Sequence, residues 1–139
     1  MLLKVGLQAP KLPSKKLLTK LVNILGPGVW RTSLEARLAV GETVQTGDAV
    51  LFVAAGGVAR AAMIQGLYEH DGAPLALVEA WAGGTLGELH SVWDASSPER
   101  LVIGLETILG ACIHTVNGRT ATLLHSPRME PRARALRDR

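Results

Sequence analysis

This chain predicts a mainly β fold, a small antiparallel barrel, and three observations carry that expectation. Glycine-bearing pairs at 56–57, 71–72, 83–84 and 117–118 divide the sequence into short apolar runs at roughly regular spacing. Inside some of those runs apolar and polar residues alternate, the period of a half-buried strand. Strong helical periodicity occurs once, near the start of the chain.

Taken in order, residues 1–13 read as an extended lead-in carrying Pro10 and Pro13. Residues 14–25 then predict an amphipathic helix. Ser14 stands where it can cap the first N–H groups, and Gly26 followed by Pro27 ends the helix. Leu17, Leu18, Leu21, Val22, Ile24 and Leu25 fall on one face, with Lys15, Lys16 and Lys20 off it. Such a stripe docks on the protein's own core, on a partner or on a membrane surface.

The barrel is expected over residues 29–125. In "SLEARLAV" the apolar Leu34, Ala36, Leu38 and Val40 alternate with Ser33, Glu35, Arg37 and Ala39, which suits a strand with one face buried. "GETVQTGD" is a short strand between turns, and "AVLFVAA" is a continuous apolar run suited to a fully buried one. Gly56-Gly57 fits a two-residue hairpin loop. The run after it, "VARAAMIQGLYEH", is longer than an ordinary strand, and Gly66 in its middle predicts a bulge or sharp bend. Asp71-Gly72 returns the chain through "PLALVEAW" to Gly83-Gly84. A weaker strand, "GELHSVW", precedes "SSPERLVIGLETILGACIHTV". Asn117-Gly118 is the strongest hairpin signal and pairs that run with "RTATLLH". The end, "SPRMEPRARALRDR", carries two prolines and no core-forming pattern. One β-rich domain over residues 14–127 is therefore expected, with 128–139 a basic tail, frayed or briefly helical.

A chain of 139 residues with 47% hydrophobic content suits a single folded domain. The net charge of +3 hides a segregation. Residues 1–20 hold five lysines and no acid, residues 21–127 set five arginines against ten acids, and residues 128–139 set five arginines against two acids. Basic ends can hold nucleic acid or another anionic partner loosely, and they serve equally as solubilising termini. The candidate phosphate-gripping residues are Lys11, Lys15, Lys16, Lys20, Arg128, Arg132 and Arg134. Cys112 is the single cysteine, which excludes an intramolecular disulfide and favours a reducing compartment. The start breaks its apolar run too early for a secretory signal, and no stretch approaches the length of a membrane span. The expectation is a soluble intracellular protein with no membrane partner.

Residues suited to catalysis are few and separated. Cys112 and His114 share a strand face, although a cysteine in an apolar strand is ordinarily a small core residue. Glu88, His90, Ser91 and Asp94 gather in "ELHSVWDASS" without the spacing of a known acid–base motif. His70, His90, His114 and His125 are scattered, and the adjoining Glu69, His70 and Asp71 diverge from a turn, so no metal site is expected. "AAGGVA" and "WAGGTLGELH" lack the glycine spacing of a nucleotide loop, and no cofactor is expected. The hairpin "GETVQTGDAVLFV" resembles that of biotinyl and lipoyl carrier domains, but residues 21–127 contain no lysine to modify.

Four pieces in order resemble the bromo-adjacent homology (BAH) domain over roughly residues 40–116. They are the Gly47-Asp48-Ala49-Val50 step, "VARAAMIQGLYEHDG" leading into an acidic turn, and Leu77-Val78-Glu79-Ala80-Trp81. The fourth is the stretch from Leu105 to His114, with Glu106, Ile108, Gly110 and Cys112 in place. The resemblance implies an SH3-like core that recognises chromatin or another protein without catalysis, and nuclear localisation. Some members of that family hold methylated lysine in an aromatic cage, which needs ring faces and a nearby carboxylate. The rings available are Tyr68, Trp81 and Trp93, with Glu79, Glu88 and Asp94 as acids, and the tryptophans serve equally well as core. The partner implied is a protein or basic peptide such as a histone tail. Weak nucleic-acid contact through the termini is the alternative, and a weak edge strand leaves dimerisation open.

Overall fold

A computed structural model gives the structure of residues 5–39, 41–84 and 86–137. In chain order the elements are β1 (Gly6–Leu7), α1 (Lys15–Leu25), β2 (Trp30–Ser33), β3 (Glu35–Arg37), β4 (Thr43–Gln45), β5 (Ala49–Val53), β6 (Ala59–His70), β7 (Ala73–Ala82), β8 (His90–Gly104), β9 (Ile108–Asn117), β10 (Thr120–Leu124) and α2 (Met129–Arg137). Strands β6, β5, β9, β10, β8 and β7 follow one another by hydrogen bonding, and β7 pairs back onto β6. The result is a closed six-stranded antiparallel barrel, which removes the exposed edges of an open sheet. β2 extends the sheet beside β6, and β1, β3 and β4 form a separate three-stranded sheet.

The apolar run of β5 explains how the cores are arranged. Successive side chains of a strand point to opposite faces. Val50 and Phe52 enter one cluster with Ile64, Leu67, Val78, Ala36 and Val44. Ala49 and Leu51 enter another with Trp81, Trp93, Leu109, Leu123 and Met129. A strand buried on both faces has no polar positions to alternate with, which is why "AVLFV" is apolar throughout.

One turn forms as the sequence predicts, and the others differ in detail. Asp71 and Gly72, at φ of 49° and 85°, close β6–β7 as a two-residue loop, since His70 pairs with Ala73. At the β9–β10 hairpin Asn117 itself pairs with Thr120, so the loop is Gly118-Arg119 rather than Asn117-Gly118. Only Gly118 there needs positive φ, at 62°. Gly56-Gly57 does not form a two-residue turn either: Val53 pairs with Ala59, and the residues between them wind through a short 3₁₀ turn. Gly83 and Gly84 begin a longer connection that reaches β8 only at His90.

β8 is a single 15-residue strand that joins the weaker segment "GELHSVW" to the first part of the run "SSPERLVIGLETILGACIHTV", which a short turn at Leu105–Thr107 divides from β9. Its first five residues pair with β10, and Glu99–Gly104 pair with β7. Residues 96–98 stand out between them, because Ala80 faces Glu99 while Ala82 faces Asp94 and the Ala95 N–H still donates to the Arg119 carbonyl. This corner lets one strand serve two neighbours and so helps close the ring. Gly66 marks a second irregularity, where the β6–β7 register shifts after Ile64. The Tyr68 ring lies over Gly66, in space that any Cβ would occupy.

In β3 and its flanks Ala36 and Leu38 are buried as the alternation requires, whereas Leu34 is exposed. Val40, the last residue of that predicted pattern, lies outside the described residues, as do residues 1–4 of the lead-in. The end of the chain is not a frayed tail through residue 137. It forms α2, whose Met129 and Ala133 are fully buried in the cluster that holds both tryptophans of the barrel corner. Pro131 is tolerated because it sits in the first turn, where a backbone N–H has no helical partner to lose.

Candidate functional site

α1 is built by local chemistry and placed by distant residues. The Ser14 hydroxyl accepts from the Leu17 N–H at 3.2 Å, and the Gly26 N–H closes the last turn onto the Val22 carbonyl at 2.7 Å. Leu21 is its one buried side chain. Beyond the helix, Trp30 donates from Nε1 to the Gly26 carbonyl at 3.1 Å and stacks on His70 with ring centres 4.2 Å apart. Tyr68 meets Trp30 edge-on at 6.4 Å. The turn after β6 completes the anchor. His70 Nε2 lies 3.0 Å from the Pro27 carbonyl, and the Val29 N–H donates to Asp71 Oδ1 at 2.7 Å. Trp30, Tyr68 and His70 thus clamp the α1–β2 link to the β6–β7 hairpin, and α1 is laid across the outer face of β7 and β8.

The helix does not close down on that face along its whole length. Leu21 and Leu25 pack with Trp30, Tyr68 and Leu75 in a layer with almost no free space. Beside it an open groove of about 510 Å³ runs between α1 and the barrel. Its apolar floor comes from Leu77 and Val102, with Ile24 on the helix side. Its rim carries Lys16 and Lys20 from α1 and Arg100 from β8, and no acidic residue lines it. Neither lysine makes an ion pair with another described residue, and Arg100 reaches Glu79 only at 4.0 Å. A second hollow, of about 530 Å³, lies by β1 and mixes Arg37 with Glu69. The groove beside α1, by contrast, joins an apolar floor to a rim of one sign.

The lysines also run against the helix's own electrostatics. α1 has no acid in its first turn and no base in its last, while Lys15 and Lys16 occupy the first turn. Cations at the positive end of a helix dipole are unfavourable by about 0.3–1 kcal/mol each.

The residues suggested for an aromatic cage are not brought together. Trp81 and Trp93 share one buried cluster, 4% and 3% exposed. Trp93 Nε1 donates to the buried Ser91 hydroxyl at 2.7 Å, which satisfies the indole inside the core. Tyr68 lies near the other end of β7, opposite Leu75 and six residues from Trp81, a separation of about 20 Å along a strand. Its hydroxyl is pushed above the ordinary range by burial. Glu79 pairs loosely with Arg100. Asp94 Oδ1 accepts from the Ser96 hydroxyl at 2.6 Å and the Ser96 N–H at 2.9 Å, bonds that hold its carboxyl below the usual range.

Among the terminal cations, Lys11 pairs through its backbone with Thr32. Arg132 Nη1 donates to the Leu109 carbonyl at 2.8 Å and faces Glu42 at 3.4 Å. α1 lies on β7 and β8, whereas α2 lies on β5 and β9, so the two basic segments occupy separate sides of the ring. Burial pushes the Cys112 thiol up to about 12, with Glu42 adding to the rise against a lowering backbone bond at Leu51. Little thiolate exists there at neutral pH to act as a nucleophile. Among the described residues no three histidine, cysteine or carboxylate side chains converge on a metal position. Among them too, no helix is long and apolar enough to cross a membrane.

What sequence reasoning missed is the clamp of Trp30, Tyr68 and His70, and the role of Arg100 in the groove. Both depend on residues tens of positions apart, and no local pattern signals them. Comparison with family models, with curated proteins and with solved structures matched none of them.

Proposed function

We propose that this chain is a non-enzymatic interaction module, an SH3-like core of the BAH type that recognises a segment of another protein. The observation that carries this reading is the open groove between α1 and the β7–β8 face, with apolar residues at its base and lysines that have no ion-pair partner among the described residues. Partly open apolar clefts edged by a few polar groups are where proteins commonly take ligands. Chromatin is the setting the resemblance suggests. The proposal does not use the aromatic cage, since rings 3–4% exposed offer no face to a cation.

The test is a peptide-display selection against the folded chain, followed by rebinding to Thr19→Trp. Thr19 lines the groove from the exposed side of α1, so an indole there fills the groove whatever the charge of the ligand. Selected peptides should lose binding to Thr19→Trp while its melting temperature stays near that of the parent. Selected peptides that all bind the plugged variant unchanged would place recognition elsewhere and end this reading.

A second reading, contact with nucleic-acid phosphates, is favoured by the same unpaired Lys16 and Lys20. Of the C-terminal arginines proposed for that contact, Arg132 is already engaged by Leu109 and Glu42.

A further inference from the structure

We infer that the groove beside α1 accepts an acidic protein segment that places an apolar side chain on the floor of Leu77 and Val102. The inference rests on the interaction-module reading and adds the sign and chemistry of the partner.

Two separate elements supply the positive rim: Lys16 and Lys20 come from α1, and Arg100 comes from β8. The rim therefore does not depend on the chance composition of one helix. It also stands against the background of the molecule, because residues 21–127 carry twice as many acids as bases. A basic peptide would bring like charge to this rim, and like charges in contact oppose binding. Carboxylates would pair with it instead. They would also lie near the start of α1, where the lysines and the helix dipole present positive charge together.

The floor separates a peptide from a nucleic acid. Sequence-tolerant binding of single strands uses exposed aromatic rings on which bases stack. The rings nearest the groove are Trp30 and Tyr68, and they are packed against each other beneath α1 with Leu21, Trp30 fully buried and Tyr68 half-buried. The groove itself offers aliphatic surface, chiefly from Ile24 and the half-buried Val102 with Leu77 beneath them at 5% exposure, which suits a leucine-like side chain and gives phosphates nothing. Ile24 is 37% exposed and lies between the packed layer and the groove, so it would be covered by an occupant.

The experiment uses the full chain and fluorescence anisotropy with four labelled probes. These are a short peptide of glutamates around a central pair of leucines, the same peptide with the leucines changed to serine, the same peptide with the glutamates changed to lysine, and an oligothymidylate. The glutamate–leucine peptide should bind most tightly. Lys16→Glu with Lys20→Glu should weaken it about tenfold, and Arg100→Glu, from the opposite wall, should weaken it in the same direction. The serine version should also bind more weakly. The thermal midpoints of the double lysine variant and of Arg100→Glu should stay near that of the parent, which rules out unfolding as the cause of lost affinity.

Tighter binding of the lysine probe would overturn the acidic partner. If that binding were also lost in Thr19→Trp, the interaction-module reading would survive on its own. An oligothymidylate that binds as tightly as the peptide, with no effect of changing leucine to serine, would overturn the inference in favour of phosphate contact.

Discussion

The chain has two basic helices near its ends, and they use their charge in opposite ways. In α2 the arginine that faces the barrel is consumed by structure. Arg132 donates to the Leu109 carbonyl at 2.8 Å, and Met129 and Ala133 sink into the core on either side of it in sequence. In α1 a single side chain, Leu21, is buried, and Lys16 and Lys20 stand at an open groove without an ion-pair partner among the described residues. Positive charge in a sequence does not reveal which of these it will become. The backbone acceptor and the core beneath the helix decide. An arginine above an unpaired carbonyl becomes a staple, whereas a lysine above aliphatic side chains has nothing to bond and stays available.

The strongest way to break this contrast is to remove the anchor of α2. Met129→Ala should cost about 2–5 kcal/mol, because it deletes a fully buried side chain from a cluster shared with Leu51, Leu109 and Leu123. Urea unfolding followed by tryptophan fluorescence measures it, since Trp81 and Trp93 lie in the same cluster. A loss under about 0.5 kcal/mol, the range of ordinary surface changes, would mean that α2 is held only loosely.

Cys112 probes the dryness of that side of the molecule. Its thiol is raised from 9.0 to about 12, chiefly by burial. The native state therefore keeps a proton that the unfolded chain releases once the pH exceeds about 9. The contribution is fully present below that pH and is lost as pH climbs toward 12. The slope should approach, and not exceed, about 1.4 kcal/mol per pH unit. Urea melts at neutral pH and at pH about 10 should show a larger loss for the parent than for Cys112→Ala. Equal losses would mean the thiol is wet in solution.

How much of this was legible beforehand follows from the range of each interaction. The α1 boundaries depend on Ser14 and Gly26, which act within one turn, and both stand in plain view in the sequence. The β6–β7 hairpin could be read from Asp71-Gly72 for the same reason. At Asn117-Gly118 the local preference was overruled by one residue. Ala121 and Leu123 must face the core, and that requirement sets the register of β10 and drags the turn along. The bend in β8 could not be read, because "SSPE" looks like a loop whether or not the strand continues past it. One signal was present and overlooked: Met129, Ala133 and Leu136 stand at i, i+4 and i+7, hidden by Pro127 and Pro131. The groove could not have been foreseen at all. It needs Lys16 and Arg100 on facing walls, and they are brought together by a clamp of Trp30, Tyr68 and His70 that no short stretch encodes.

The finest distinction lies within α1 itself, between Lys15 and Lys16. Both occupy the first turn and oppose the helix dipole, but only Lys16 lines the groove. Lys15→Glu should therefore stabilise the fold by about 0.3–1 kcal/mol and leave affinity for the glutamate–leucine peptide nearly unchanged. Lys16→Glu should stabilise by a similar amount, helped by a favourable pairing with Lys20 one turn on, yet weaken the peptide. Stability from thermal melts and affinity from anisotropy would then move together for neither residue. If both substitutions weakened the peptide equally, the lysines would act only through the general field of the helix, and the groove would lose its claim to place the ligand. If neither did, the charge on this side of the molecule would be no more functional than the arginine fixed on the other.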